Sequence, residues 1–152
     1  MKATDLINPN WFDNIEHREC PWPGLTWMTT MLAVPKVEEA IAFYQSVFGV
    51  SPIYVNKSEN GRIVFARMRY RGINFCLNET GRFDTRGVHP SASNTPPPFF
   101  IYMYVDDVDH FYLNAIENGC ISIQEPYMEV WGDKKARIED RYGYVWDIAT
   151  RV

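Results

Sequence analysis

Two rhythms of apolar and polar positions alternate along this chain. Leu25 to Val34 is rich in apolar and β-branched residues, which predicts a strand. From Val37 to Phe48 the period lengthens. Val37, Ile41, Tyr44 and Phe48 recur on one helical face, with Glu38, Glu39 and Gln45 elsewhere, so an amphipathic helix is expected. Ser51–Lys57, Arg62–Tyr70 and Ile73–Leu77 then read as strands. Asn60-Gly61 and Arg71-Gly72 supply the turns between them. The same order returns further on, with a strand at Phe99–Val105 and a helix at Val108–Asn118 capped by Asp106-Asp107. Strands follow at Ile121–Ile123, Tyr127–Trp131, Lys135–Glu139 and Tyr144–Thr150. Gly132-Asp133 is expected in a hairpin and Tyr142-Gly143 in a turn.

The repetition is also chemical. Each helix carries the same aromatic pair, Phe43-Tyr44 and Phe111-Tyr112, and each is stopped by a glycine, Gly49 and Gly119. An internal duplication sets an architecture before any single residue is interpreted. The reading is α+β, with module one at 25–82, a linker at 83–98 and module two at 99–152. Gly87, Pro90 and Pro96-Pro97-Pro98 mark the linker. Short loops and two like halves suggest a β-sheet wrapped around a concavity, with the helices outside. Residues 1–24 read as an N-terminal extension, a strap held by Trp11, Phe12 and Trp22; its short helix would end at Cys20-Pro21-Trp22-Pro23.

Composition narrows the function classes. The chain has 152 residues, a single-domain length, and 15% of them are aromatic, more than a small core needs. Part of that aromatic surface is therefore available to line a site for a flat or apolar ligand. A net charge of −4 argues against nucleic acid and anionic membrane surfaces. No apolar run approaches the roughly 20 residues that cross a bilayer. No apolar signal segment follows Met1-Lys2-Ala3, so export is not expected. Cys20, Cys76 and Cys120 are odd in number and widely spaced, which suits reduced thiols in the cytoplasm.

Several runs resemble the vicinal-oxygen-chelate superfamily, which contains glyoxalase I, the bleomycin-resistance proteins and the extradiol dioxygenases. They are Ala42-Phe43-Tyr44 with Phe48-Gly49, then Val105-Asp106-Asp107-Val108-Asp109, then Trp131-Gly132-Asp133 through Arg137-Ile138-Glu139-Asp140 to Gly143-Tyr144-Val145-Trp146. The match runs in order over about 25–152. It implies two βαβββ modules forming an incompletely closed eight-stranded barrel, with a homodimer and a site at or near a module interface. The family's enzymes hold a divalent metal with four inward side chains, one from the first and one from the last strand of each module, and the metal acts as a Lewis acid. By strand register those positions fall here on Thr29, near Cys76 (with Asn74 and Asn78 on the same face), on Phe100 and on Asp147. Only Asp147 is an ordinary hard-metal ligand, and a register shift of one does not rescue the set. His17, His89 and His110 form no paired spacing. No metal and no cofactor are therefore expected.

What remains is an aromatic, polar-tipped wall. Trp27, Thr29 and Met31 share one face of the first strand; Phe100, Tyr102 and Tyr104 share one face of the fifth. Trp131 is similar to a pocket-edge aromatic of the family. Asp147 is a strand carboxylate facing inward, able to serve as a base, a ligand acceptor or a partner for Arg137. Cys76 reads as a small apolar wall residue, with no histidine placed to activate it. Arg67, Arg69 and Arg71 alternate, so they share a face, read as a solvated outer surface or a dimer rim rather than an anion-facing wall. Asp106, Asp107 and Asp109 lack the glycine and distal glutamate of a calcium loop. The expected activity is metal-independent binding of a small, partly aromatic organic molecule, bleomycin-resistance-like. Its ligand-binding residues are Trp27, Thr29, Cys76, Phe100, Tyr102, Trp131 and Asp147, in a cytoplasmic homodimer. The alternatives are a divalent-metal lyase, isomerase or dioxygenase of the same superfamily with an altered ligand set, and a non-catalytic interaction module.

Overall fold

The computed structural model describes residues 25–82 and 87–152, so the expected strap at 1–24 and part of the linker lie outside the described residues. Module one runs β1 (Thr30–Val34), α1 (Val37–Phe48), β2 (Ser51–Lys57), β3 (Ile63–Tyr70) and β4 (Ile73–Glu79). A single-turn helix, α2 (Pro90–Ser93), follows. Module two runs β5 (Ile101–Tyr104), α3 (Val108–Glu117), β6 (Ile121–Met128), β7 (Asp133–Glu139) and β8 (Val145–Arg151). The fold is α+β, two βαβββ modules whose sheets do not close. The eight strands form two four-stranded sheets, β1-β4-β3-β2 and β5-β8-β7-β6, rather than one continuous hydrogen-bonded sheet. In each, the first and last strands pair in parallel and the rest are antiparallel.

Local chemistry explains the elements. The α1 face of Val37, Ile41, Tyr44 and Phe48 is buried, and the helix ends at Gly49 with φ +65, a conformation glycine adopts without penalty. Asp107 caps α3 as expected, its carboxylate accepting the His110 amide at 3.0 Å. Both helices lie on the convex sides of their sheets and meet each other, Phe48 packing edge-on to Phe111 at 5.4 Å between ring centres. Trp146 of β8 reaches Phe48 at 4.6 Å and Phe75 of β4 at 6.0 Å, so both modules share one core. Asp140 pins the seam. Its buried carboxylate accepts Tyr44 Oη at 2.6 Å, Trp146 Nε1 at 2.8 Å, and the amides of Tyr142 and Tyr144 at 2.8 and 3.1 Å.

Several expectations are corrected. β1 begins at Thr30, so Trp27 and Thr29 precede the strand rather than lie within it. β5 begins at Ile101, which leaves Phe100 just ahead of it. The two segments expected at 121–131 are one strand, β6, and Trp131 sits in the following turn. β6 carries Pro126 within it, which an edge strand tolerates because one side of its backbone has no strand to pair with. The pairing with β7 is correspondingly irregular between Gln124 and Tyr127. Asp133, expected in the hairpin, opens β7 and is fully buried.

Candidate functional site

Strand alternation decides what each sheet shows to its concave side. In β7 and β8, Ala136, Ile138, Trp146 and Ile148 are buried on the helix side. Asp133, Lys135 and Arg137 therefore face the other way, in register with Arg151, Ala149 and Asp147, and Tyr102 and Tyr104 of β5 join them. The concave face of module two is thus a sheet of aromatic and charged side chains.

Two carboxylates organise it. Asp133 Oδ2 accepts Tyr104 Oη at 2.6 Å, Trp131 Nε1 at 3.0 Å and Tyr102 Oη at 3.2 Å, while Oδ1 meets Arg151 at 3.3 Å. The Tyr104 hydroxyl leads the donors that hold the Asp133 carboxyl below its ordinary range, against the opposing cost of burial. Burial, then Tyr104 and Asp133, raises Tyr102, so it stays a neutral hydrogen-bond donor. Asp147 Oδ1 and Oδ2 take the Arg137 guanidinium in a fork at 2.6 and 2.9 Å, and Lys135 stands 3.6 Å from Oδ2. Burial alone would push Asp147 up, but Arg137 and Lys135 together override it and hold its pKa low. Lys135 also pairs with Glu129 at 2.7 Å. The cations lie against rings: Arg137 is 4.4 Å from the Phe100 centre, and Lys135 is 5.7 and 5.8 Å from Tyr127 and Trp131.

The result is a fixed aromatic surface. Phe100 and Trp131 remain 54% and 52% exposed although their positions are tied to the network. Every carboxylate in it already has donors, so the arrangement favours stacking and hydrogen bonding over proton transfer.

Module one's concave face is built differently. Met31, Cys76 and Arg67 stand in one cross-strand row. Arg67 reaches Thr29 Oγ1 at 3.3 Å, Thr29 meets Thr26 at 3.0 Å, and Arg69 Nε bonds Asn74 Oδ1 at 3.3 Å. Arg67 and Arg69 therefore line the same face as Cys76 and Asn74, opposite the buried Ala66 and Met68, and not the solvated outer surface expected. Arg71 leaves that face because β3 ends at Tyr70; it sits in the turn at φ +43 and pairs with Asp106 at 2.5 Å. Burial raises the Cys76 thiol pKa, with Arg67 opposing, so the thiol stays protonated.

The sequence-predicted residues divide between these faces. Phe100, Tyr102, Trp131 and Asp147 come together on module two, Thr29 and Cys76 lie on module one, and Trp27 is exposed ahead of β1. Asp133, Lys135 and Glu129 were missed. The alternation Asp133, Lys135, Arg137 was the available signal, hidden by reading Gly132-Asp133 as turn. A cavity of about 210 Å³ lies at the seam between modules, lined by Phe75, Met103 and Trp146, by Asn74 and Tyr104 from the two walls and, alone among the expected site residues, by Tyr102.

Thr29, Cys76, Phe100 and Asp147 do not fit a divalent metal. Phe100 offers no donor, the Cys76 thiol is kept protonated, and both Asp147 oxygens are engaged by Arg137. Among the described residues, no group of three or more His, Cys, Asp or Glu side chains converges on one point.

Residues 27–148 match the sequence model of the Glyoxalase/Bleomycin resistance protein/Dioxygenase superfamily. The uncharacterized protein Mb0911c of Mycobacterium bovis is 25% identical over 126 residues, spanning 80% of each chain. Rv0887c of Mycobacterium tuberculosis is 25% identical over 126 residues, 80% of this chain and 72% of that one. Among solved structures, TioX from Micromonospora sp. ML1 superposes with a TM-score of 0.64 at 19% identity, covering 84% of this chain and 99% of that one. A glyoxalase/bleomycin resistance protein/dioxygenase family enzyme from Burkholderia phytofirmans PsJN gives a TM-score of 0.64 at 20% identity, covering 82% and 97%. At these identities the structures establish likeness of fold.

Proposed function

Since the chain belongs to the Glyoxalase/Bleomycin resistance protein/Dioxygenase superfamily, we propose that it binds and sequesters a small, partly aromatic organic molecule without a metal. The observation that carries this reading is the module-two face: Phe100, Tyr102, Tyr104 and Trp131 exposed as rings over an internally neutralised set of charges. Sequestration needs only shape and stacking complementarity, so a missing donor set does not impair it. A metal-dependent lyase, isomerase or dioxygenase would need Asp147 as ligand, and freeing it would strip Arg137 of its fork.

The same reading includes a homodimer. The modules of one chain meet through helices and core, while the rings of Phe100, Tyr102, Tyr104 and Trp131 stay exposed. The edge strands β2 and β6 are exposed along nearly their whole length, with Tyr54, Val55, Ile121 and Ile123 among their apolar side chains. A second copy would cover such surfaces and close a cavity over the aromatic wall. Among the described residues, no helix is long and apolar enough to cross a membrane, and the cysteine usage suits a cytoplasmic location.

Quenching of tryptophan fluorescence by 1-naphthol, on protein dialysed against chelator, tests the pocket. Saturable binding is expected, weakened about tenfold in Phe100→Ala and in Trp131→Ala by loss of one stacking partner. Unchanged affinity in both variants would remove this face from the site.

A further inference from the structure

The two modules place an arginine at corresponding points of their concave walls but treat it differently. Met31 and Tyr102 are each the second residue of the first strand of their module, and each leads a cross-strand row. In module two the row is Tyr102, Asp147, Arg137, and the carboxylate clamps the guanidinium. In module one it is Met31, Cys76, Arg67, with a neutral thiol where the carboxylate would stand. Arg67 is left with one neutral contact, Thr29 Oγ1 at 3.3 Å, and no carboxylate among the described residues. The residues that share its face by register, Tyr54, Asn56, Phe65, Asn74 and Asn78, include no acid.

A second observation on that wall also points to a ligand. Asn78 lies two residues beyond Cys76 on the same face of β4, 8% exposed, and its Oδ1 is buried with no hydrogen-bond partner. A buried amide oxygen left unsatisfied costs stability unless something donates to it. From these two observations we propose that module one's concave wall is an oxyanion subsite. Arg67 and Thr29 take a carboxylate or phosphate group, and Asn78 Oδ1 accepts an O–H or N–H further along the same molecule. A guanidinium fork matches either oxyanion in two parallel hydrogen bonds, which a hydroxyl partner alone does not supply. The inference rests on the small-molecule reading and deepens it: beside its aromatic part, the ligand carries a carboxylate or a phosphate ester.

Proton–nitrogen correlation spectra test it, because the Arg67 Nε–H and the Trp131 Nε1–H report the two walls separately. Benzoate and inorganic phosphate are titrated in turn at physiological ionic strength. A saturable shift of the Arg67 signal at millimolar probe is expected, together with shifts of the β3 and β4 backbone amides around Cys76, and these amide shifts are expected to vanish in Arg67→Gln. Larger shifts with benzoate identify a carboxylate, and larger shifts with phosphate identify a phosphate ester. Cys76→Asp installs the module-two clamp and is expected to weaken anion binding at least tenfold while Arg67 is retained. If Cys76→Asp does not fold, Arg67→Gln alone carries the test. An Arg67 signal unmoved by both anions, or shifts that persist in Arg67→Gln, would overturn the subsite. A Trp131 shift in the same titration would then leave the aromatic wall standing.

Discussion

Module one and module two share a backbone plan and differ in how their inner walls are balanced. Module two places Asp133, Asp147 and Glu129 among Lys135, Arg137 and Arg151, and every charge has a partner inside the wall. Module one places Arg67 and Arg69 among Thr29, Asn74, Cys76 and Asn78, with no acid on that face among the described residues. The contrast teaches how a duplicated fold divides labour. One copy pairs its charges within the wall, while the other leaves Asn78 Oδ1 buried without a hydrogen-bond partner among the described residues. At matching points of the row, Asp147 in module two stands where module one has Cys76.

The comparison can be broken most severely at Asp140, which ties module two to helix α1 of module one. Asp140→Ala leaves the Tyr44, Trp146, Tyr142 and Tyr144 donors without their acceptor. It is expected to cost about 3 kcal/mol or more, read by urea unfolding, since several buried donors lose their partner at once. A loss confined to module two's signals, with module one intact, would mean the modules are not one cooperative unit.

The next test removes the difference between the rows. Asp147→Ala strands Arg137 and Lys135 and is expected to cost about 2 kcal/mol, discounted because solvent reaches part of the Arg137 guanidinium. Cys76→Ala, at the corresponding point, is expected to cost about 1 kcal/mol, the loss of a small packed group. Equal costs would show that the carboxylate adds nothing beyond packing. The loss of 1-naphthol affinity in Phe100→Ala and Trp131→Ala then asks whether the module-two wall is the one that binds.

The smallest expected effect is on acid stability. Asp133 and Asp147 have pKa values held below their usual 3.8 in the folded chain. A carboxylate with a lowered folded pKa stabilises above its unfolded value, and that stabilisation is lost as pH falls through the folded one. Melting temperature is therefore expected to drop below about pH 4, with a shallower drop in Asp147→Asn. Identical acid profiles in the two proteins would place the acid-sensitive group elsewhere.

Much of this fold was legible because its signals are local. The α1 boundaries follow from a four-residue apolar period and a terminal glycine, and Asp107 announced the start of α3. The runs Ala42-Phe43-Tyr44 with Phe48-Gly49, Val105 to Asp109 and Trp131 to Trp146, taken in order, carried the resemblance to the superfamily, and the family model matches residues 27–148. The site was only half legible, because side-chain direction depends on where a strand starts. Reading β1 from Leu25 placed Trp27 on the inner face, when the strand begins at Thr30. Reading two segments, Ile121–Ile123 and Tyr127–Trp131, missed the single strand β6 and put Trp131 in a strand, whereas it lies in the turn after β6. Reading Gly132-Asp133 as turn concealed Asp133, the acceptor that gathers three aromatic donors. The arginine alternation was recognised, but which side of β3 faces the concavity depends on its pairing with β4, a contact no local pattern encodes.

Native mass spectrometry of untagged protein, purified without chelators, tests the central claim most directly. Metal-independent binding predicts a dimer whose mass carries no divalent ion and which retains, or takes up on addition, an organic molecule. One stoichiometric divalent ion per subunit would contradict it and return the chain to the metal-dependent enzymes of its superfamily.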